Sequence, residues 1–367
     1  MPIEFVGGLF PRNQLAQRAA NATPRLDLTY LRDLARAHEH AGFDRVLIAN
    51  GGGDPMFLAA HAAAHTERLG FMIAHRPGLV PPTVAARAFA TLDQTTGGRI
   101  RLHTITGHAP EPGHGERLLD KAERYERAGE YLDIVRRTWT EDQPFDYEGR
   151  FYRLEGAFSP VKPLQAPHIP ISLGGSSEGA YRVAVEHTDL YALWAESLED
   201  TKARIDKLRE IAAAAGKSAP RVSLSVRLII GATEELAWKK AREIEATLKA
   251  NTAARGRIEQ QGLSGGAERQ LALAARGEIH DKALFIGTST AIGGGTDSTS
   301  LVGTPDTIIE SLLAYHDIGV TTFLSRGYDP LPDAIDYGRY IIPAVREEVA
   351  RRAHATAQGR QADRRAA

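Results

Sequence analysis

Cysteine is missing from all 367 residues. That absence removes disulfides, thiolate metal sites, iron–sulfur clusters and a cysteine nucleophile together. An excess of either charge is missing as well: 45 Lys+Arg stand against 46 Asp+Glu, a net of −1. Without a basic surplus there is no case for non-specific nucleic-acid binding, which works by displacing counterions. Long apolar runs are also wanting, since none approaches the roughly 20 residues that cross a bilayer. The opening Met1-Pro2-Ile3-Glu4-Phe5 lacks the basic start and apolar stretch of a signal peptide, so a cytoplasmic protein is expected. No GxSxG marks a serine hydrolase. The first turn, Gly7-Gly8-Leu9-Phe10-Pro11-Arg12, is no dinucleotide-binding GxGxxG. With 43% hydrophobic and 25% charged residues, an ordinary globular chain remains.

What is present is an alternation of short apolar runs with amphipathic helical stretches. Strands are expected at residues 3–10, 43–50, 69–74, 100–106, 169–173, 190–194, 222–230 and 320–325. Helices are expected between them. Asp54-Pro55 and Thr304-Pro305 pair an N-cap with a proline at the first helical position, and Ser177 can cap a third helix. Residues 149–167 read as irregular. Eight strands joined by helical crossovers predict an α/β fold, a (β/α)8 TIM barrel; an open doubly wound sheet is the alternative. About 90 residues separate the last two strands: a helix over 234–249, a polar helical region to 275, and the Gly/Ser/Thr-rich stretch 287–303. That stretch reads as a mobile loop over the barrel mouth, or as a solvated loop of no consequence. One domain is expected over residues 1–350, with a polar tail over 351–367.

In such a barrel the chemistry sits at the C-terminal ends of the strands. Those ends supply Arg12, Asn50, His75 with Arg76, Thr104 with Thr106, Trp194, Arg227, Arg326 and Tyr328. The fifth strand runs into Gly174-Gly175-Ser176-Ser177 just before a helix, where free N–H groups and hydroxyls suit a phosphate; a tight packing turn is the alternative. The arginines suit a phosphate, sulfonate or carboxylate, unless they pair with loop carboxylates. His61 and His65 share the i,i+4 spacing of a chelating pair, but on an Ala-rich helix without a carboxylate. His103 has no H-x-H partner after the first strand. No metal is expected.

Taken in order, several segments resemble the bacterial luciferase-like flavin monooxygenases, and most nearly their two-component alkanesulfonate branch. They are Arg76-Pro77, the run 82–93 (PTVAARAFATLD), Gly97-Gly-Arg99, Ile105-Thr-Gly107, Glu123-Arg-Tyr125, residues 145–152 (FDYEGRFY), Gly174-Gly-Ser-Ser177, residues 190–194, Arg227 and Leu301-Val-Gly303. The resemblance implies a barrel that takes FMN as FMNH2 from a separate NAD(P)H-dependent FMN reductase and uses O2 as co-substrate. An organosulfonate, either an alkanesulfonate or a sulfosugar, would leave as an aldehyde and sulfite. Carried over by position, Gly175, Ser176, Ser177 and Tyr125 hold the phosphate. Thr106 and Asn50 lie around the isoalloxazine ring, and His75 joins the cofactor contacts. Trp194, Arg227 and Tyr328 face the substrate. Arg12 and Arg326 are placed there too, with Arg227, Arg326 and Tyr328 expected to carry the chemistry.

This sequence departs from that branch in several places. Ile229 replaces a histidine, Arg12-Asn13 stands where another is expected, and Lys121 replaces a third. Asp54 falls near a missing cysteine, Gly294 near a missing loop arginine, and Arg326 stands where those enzymes have small residues. A same-fold monooxygenase of another substrate, a deazaflavin-dependent oxidoreductase and a flavin carrier are the alternatives. The resemblance also implies a homodimer or homotetramer.

Overall fold

The computed structural model describes residues 3–12, 25–49, 52–106, 112–254, 265–293 and 299–366. Strand β1 (Glu4–Gly8) is followed by α1 (Leu28–His40), β2 (Arg45–Ile48), α2 (Pro55–Ala63), β3 (Gly70–His75), α3 (Pro82–Thr95) and β4 (Ile100–Thr104). Helix α4 (Lys121–Thr140) leads to a hairpin, β5 (Phe145–Glu148) and β6 (Arg153–Ala157). Then come β7 (Ile171–Gly174), α5 (Glu178–His187), β8 (Leu190–Trp194), α6 (Leu198–Ala214) and β9 (Arg221–Ile230). The insertion holds α7 (Glu234–Ala254), α8 (Gly265–Arg276), β10 (Ile279–His280), β11 (Leu284–Phe285), α9 (Gly287–Thr290) and β12 (Ser300–Gly303). The chain ends through α10 (Pro305–Asp317), β13 (Val320–Arg326), α11 (Pro330–Asp336) and α12 (Ile342–Ala366).

β1, β2, β3, β4, β7, β8, β9 and β13 pair in parallel and close, because β9 bonds β8 on one side and β13 on the other. The expected barrel is the observed one. Its two-residue periodicity decides which side chains see the axis. On β3, Phe71 and Ile73 join the main core beneath the helices, while Met72 meets Val6 and Leu324 inside the barrel. The base of the barrel is polar: Glu4 accepts from Arg45 Nε at 2.9 Å, from Arg101 at 3.0 and 3.1 Å, and from Thr322 Oγ1 at 3.1 Å. Burial would raise the Glu4 pKa, but Arg101 and Arg45 outweigh it and hold the carboxyl below its ordinary value. The caps behave as their residue types predict. Asp54 accepts from Met56 N at 2.9 Å, Ser177 from Ala180 N at 3.2 Å and Thr304 from Thr307 N at 3.4 Å.

Two stretches differ from expectation. Part of 149–167 is not irregular: β6 pairs antiparallel with β5, and Phe145 and Ala157 pack on Ile134. The second correction is larger. The stretch 287–303 holds α9 and β12, and β12 lies parallel to the upper half of β9, with Ser300 opposite Arg227. Thr288, Ser289, Thr299 and Ser300 are buried. Their hydroxyls are what make burial tolerable: Thr288 Oγ1 and Ser300 Oγ lie 3.0 Å apart, and Thr299 donates to Ala195 O at 3.1 Å. Composition suggested a mobile loop over the mouth or a solvated one; the described part is a short helix and a buried strand. Gly294 falls outside the described residues. α12 also continues to Ala366, through the stretch expected as a tail.

Candidate active site

Strand alternation sends Arg227 of β9 and Arg326 of β13 into the upper end of the barrel, and the two are register partners. Arg227 is buried, donates to Gly327 O at 2.8 Å, and lays its guanidinium 4.6 Å from the centre of the Tyr328 ring. Arg326 lies 5.9 Å from the Phe10 ring centre. Gly8 keeps that space open, since a Cβ there would meet Phe10 at 2.8 Å and Arg326 Cδ at 3.5 Å. The Tyr328 hydroxyl is 3.3 Å from Ser300 Oγ, so the strand missed in the sequence supports the tyrosine.

Two strands round the barrel from β9, β7 runs into α5 through Gly175, Ser176 and Ser177. A Cβ on Gly175 would come within 2.4 Å of the Tyr125 hydroxyl and 2.7 Å of Ala180 Cβ, so only glycine lets this backbone pass. Tyr191 anchors the turn by donating to Gly175 O at 2.8 Å. The Ser177 hydroxyl is engaged in capping α5. Above the turn lies the N-terminus of α8, which the sequence reading did not connect to it. A methyl group on Gly265 would lie 2.9 Å from Ser176 Oγ, 3.5 Å from Lys121 Nζ and 3.6 Å from an Arg269 nitrogen. One on Gly266 would lie 2.7 Å from the Trp194 ring. Helix α8 is tied down by ion pairs from Arg269 to Glu196 and from Arg276 to Asp200. A hydroxyl, an ammonium, a guanidinium and two helix N-termini thus converge, an arrangement that suits a phosphate dianion. The doublet Gly265-Gly266 with Arg269 one turn on was the signal available.

The other predicted positions scatter. His75 points away from the axis: its Nε2 is 2.6 Å from the Tyr131 hydroxyl and its ring meets Phe89 edge-on. Burial lowers its pKa to about 4. Thr106 is buried above β4, Arg12 is half-buried after β1, and Trp194 is half-buried at the end of β8. Asn50 lies outside the described residues. Arg76 takes the alternative role, pairing with buried Glu116 at 2.6 Å while Arg127 holds the same carboxylate at 2.5 Å. His103 faces inward, with Nδ1 3.0 Å from Ser172 Oγ, and burial lowers its pKa to about 4, so it is neutral. His61, on α2, and His65, just past its end, meet edge-on at 4.9 Å.

A closed parallel barrel thus carries two arginines in register and a turn suited to phosphate at the C-terminal ends of its strands. The chain belongs to the luciferase-like monooxygenase family, whose sequence profile matches residues 5–322. It is therefore an enzyme, a monooxygenase working with reduced flavin and oxygen. EDTA monooxygenase (EmoA) from Chelativorans sp. BNC1 has a similar structure: 18% identity, 95% of this chain and 94% of that chain covered, TM-score 0.76. Riboflavin lyase (RcaE), solved with modified FMN and substrate riboflavin, is 20% identical over 95% of this chain and 92% of that chain, TM-score 0.74. An F420-dependent secondary alcohol dehydrogenase is 19% identical over 94% and 99%, TM-score 0.68. At these identities the likeness concerns the fold.

Proposed function

We propose that the protein is the oxygenase component of a two-component system that cleaves the C–S bond of an organosulfonate. The observation that carries this reading is the register pair Arg227 and Arg326 at the same end of the barrel as a turn suited to phosphate. In this reading Gly175, Ser176 and Tyr125, with Lys121 and Arg269, hold the phosphate of FMN, which a separate NAD(P)H-dependent reductase delivers in reduced form. Reduced flavin supplies the two electrons that activate O2. With those electrons, one oxygen atom would end in the aldehyde and the other in water, and hydrogen sulfite would leave. The chain's own work is positioning. Arg227 and Arg326 bind the sulfonate by charge-assisted hydrogen bonds, which are stronger where water is excluded. Trp194, packed under α8, and the Tyr328 ring over Arg227 are the groups that keep water out. The half-buried Arg12, with Thr106, borders the flavin and substrate space.

Mixing the protein with reduced FMN, O2 and a panel of sulfonates, and assaying sulfite, tests this reading. Turnover of another substrate without sulfite would replace the substrate. Hydride transfer to a deazaflavin without oxygen uptake, the activity that the fold neighbour F420-dependent alcohol dehydrogenase makes worth assaying, would replace the reaction.

A further inference from the structure

Beside the mouth lies a cavity of about 360 Å³ between the upper end of β9, the insertion helix α7 and the loop leading into α11. That volume falls within the roughly 300–1,000 Å³ of small-molecule sites. Its floor is apolar, formed by Ile229, Ile244 and Leu248. Its inner wall is Tyr328, the ring that lies over Arg227. Arg227 and Ile229 are two residues apart on β9 and so share a face. The cavity and the paired arginines are therefore neighbours, with one tyrosine ring between them.

The polar lining carries a second message. Lys240 is matched by Asp333 at 3.6 Å, and Asp333 also accepts from Asp329 N at 2.8 Å. Glu243 and Asp329 then leave the rim acidic. An acidic rim repels an anion and admits a neutral or cationic group.

We propose that this cavity holds the tail of the substrate, an apolar segment with an uncharged or cationic end, while Arg227 and Arg326 hold the anionic head and Tyr328 divides the two. The proposal rests on the anionic-head reading above and adds the other half of the molecule. It defines a class: amphiphiles with one anionic end, and not dianions of similar length.

Equilibrium binding to the full chain tests it, with butane-, hexane- and octane-1-sulfonate, hexane-1,6-disulfonate and octan-1-ol as probes. Affinity is expected to rise roughly three- to fourfold per methylene along the sulfonate series. The disulfonate is expected to bind at least about tenfold more weakly than hexanesulfonate, given two carboxylates at the rim. Thr247, exposed at the edge of the cavity, allows a filling variant without disturbing the core. Thr247→Trp should flatten the length dependence and leave butanesulfonate unchanged, and Ile244→Phe provides a second test from the floor. A flat series in the wild-type chain, or an equal slope in both variants, would overturn the tail assignment. Octanol binding that Thr247→Trp abolishes, with no sulfonate bound at all, would instead overturn the head assignment and keep the cavity.

Discussion

Arg227 and Arg326 stand side by side as register partners at the upper ends of β9 and β13, two guanidiniums of one sign at the mouth of one barrel. Each is steadied by a ring, Tyr328 for the first and Phe10 for the second. Such a pair gains from an anion between its members. Replacing either arginine by alanine is expected to lower kcat/KM by on the order of 10²–10³-fold while leaving FMN affinity within about threefold. Stopped-flow turnover and flavin titration on the same variants check this. Lost flavin binding would reverse the roles.

Gly175 tests the phosphate cradle. A Cβ there collides with the Tyr125 hydroxyl at 2.4 Å. Gly175→Val should weaken FMN binding by roughly five- to a hundredfold, the span of overpacking costs of about 1–3 kcal/mol. Gly175→Ala, which adds only the colliding Cβ, should weaken FMN binding less than the valine variant does. Fluorescence quenching of FMN measures both.

The Arg269–Glu196 pair ties α8 over the cradle, with Glu196 buried and Arg269 mostly so. Glu196→Gln should loosen α8. We expect faster amide exchange across residues 265–276 and FMN affinity lower by roughly tenfold, about 1.4 kcal/mol. Unchanged exchange would mean that α8 is held by its packing alone.

Four histidines, His38 and His103 buried and His75 and His187 half-buried, shape the acid response of the fold. Burial lowers the pKa of His38, His75, His103 and His187 from 6.5 to about 4. Below about pH 6.5 the unfolded chain takes up protons that the folded chain refuses. Their effect on stability is therefore flat above that value, destabilising as pH falls from 6.5 towards 4, and constant below. Urea midpoints across this window should fall with pH. His103→Gln should make the fall shallower, since one depressed site is removed.

Much of the frame was legible because it is local. The strand at 190–194 and the helix openings at Asp54-Pro55 and Thr304-Pro305 appear where periodicity and capping residues place them. Register then follows from alternation, which is why Arg227 and Arg326 were visible from sequence. His75 was read only as a residue at the end of a strand, and that does not say which way it points: on β3, Met72 faces the axis and His75 does not. β12 was hidden because its Ser and Thr neighbours satisfy one another's hydroxyls, a pattern composition cannot distinguish from solvation. Arg269 was hidden by distance along the chain, since Gly265, whose added Cβ would lie near both Ser176 Oγ and Arg269, is about 90 residues from the Ser176 turn.

Under the proposed function, reduced flavin, oxygen and an organosulfonate meet in this barrel. Single-turnover mixing of the protein with reduced FMN, O2 and octane-1-sulfonate, followed by quantification of sulfite and aldehyde, tests it most directly. The account predicts the two products in equal amounts and their loss in Arg227→Ala. Flavin oxidation with no sulfite from any sulfonate, alongside oxygenation of a substrate without a sulfonate, would contradict it.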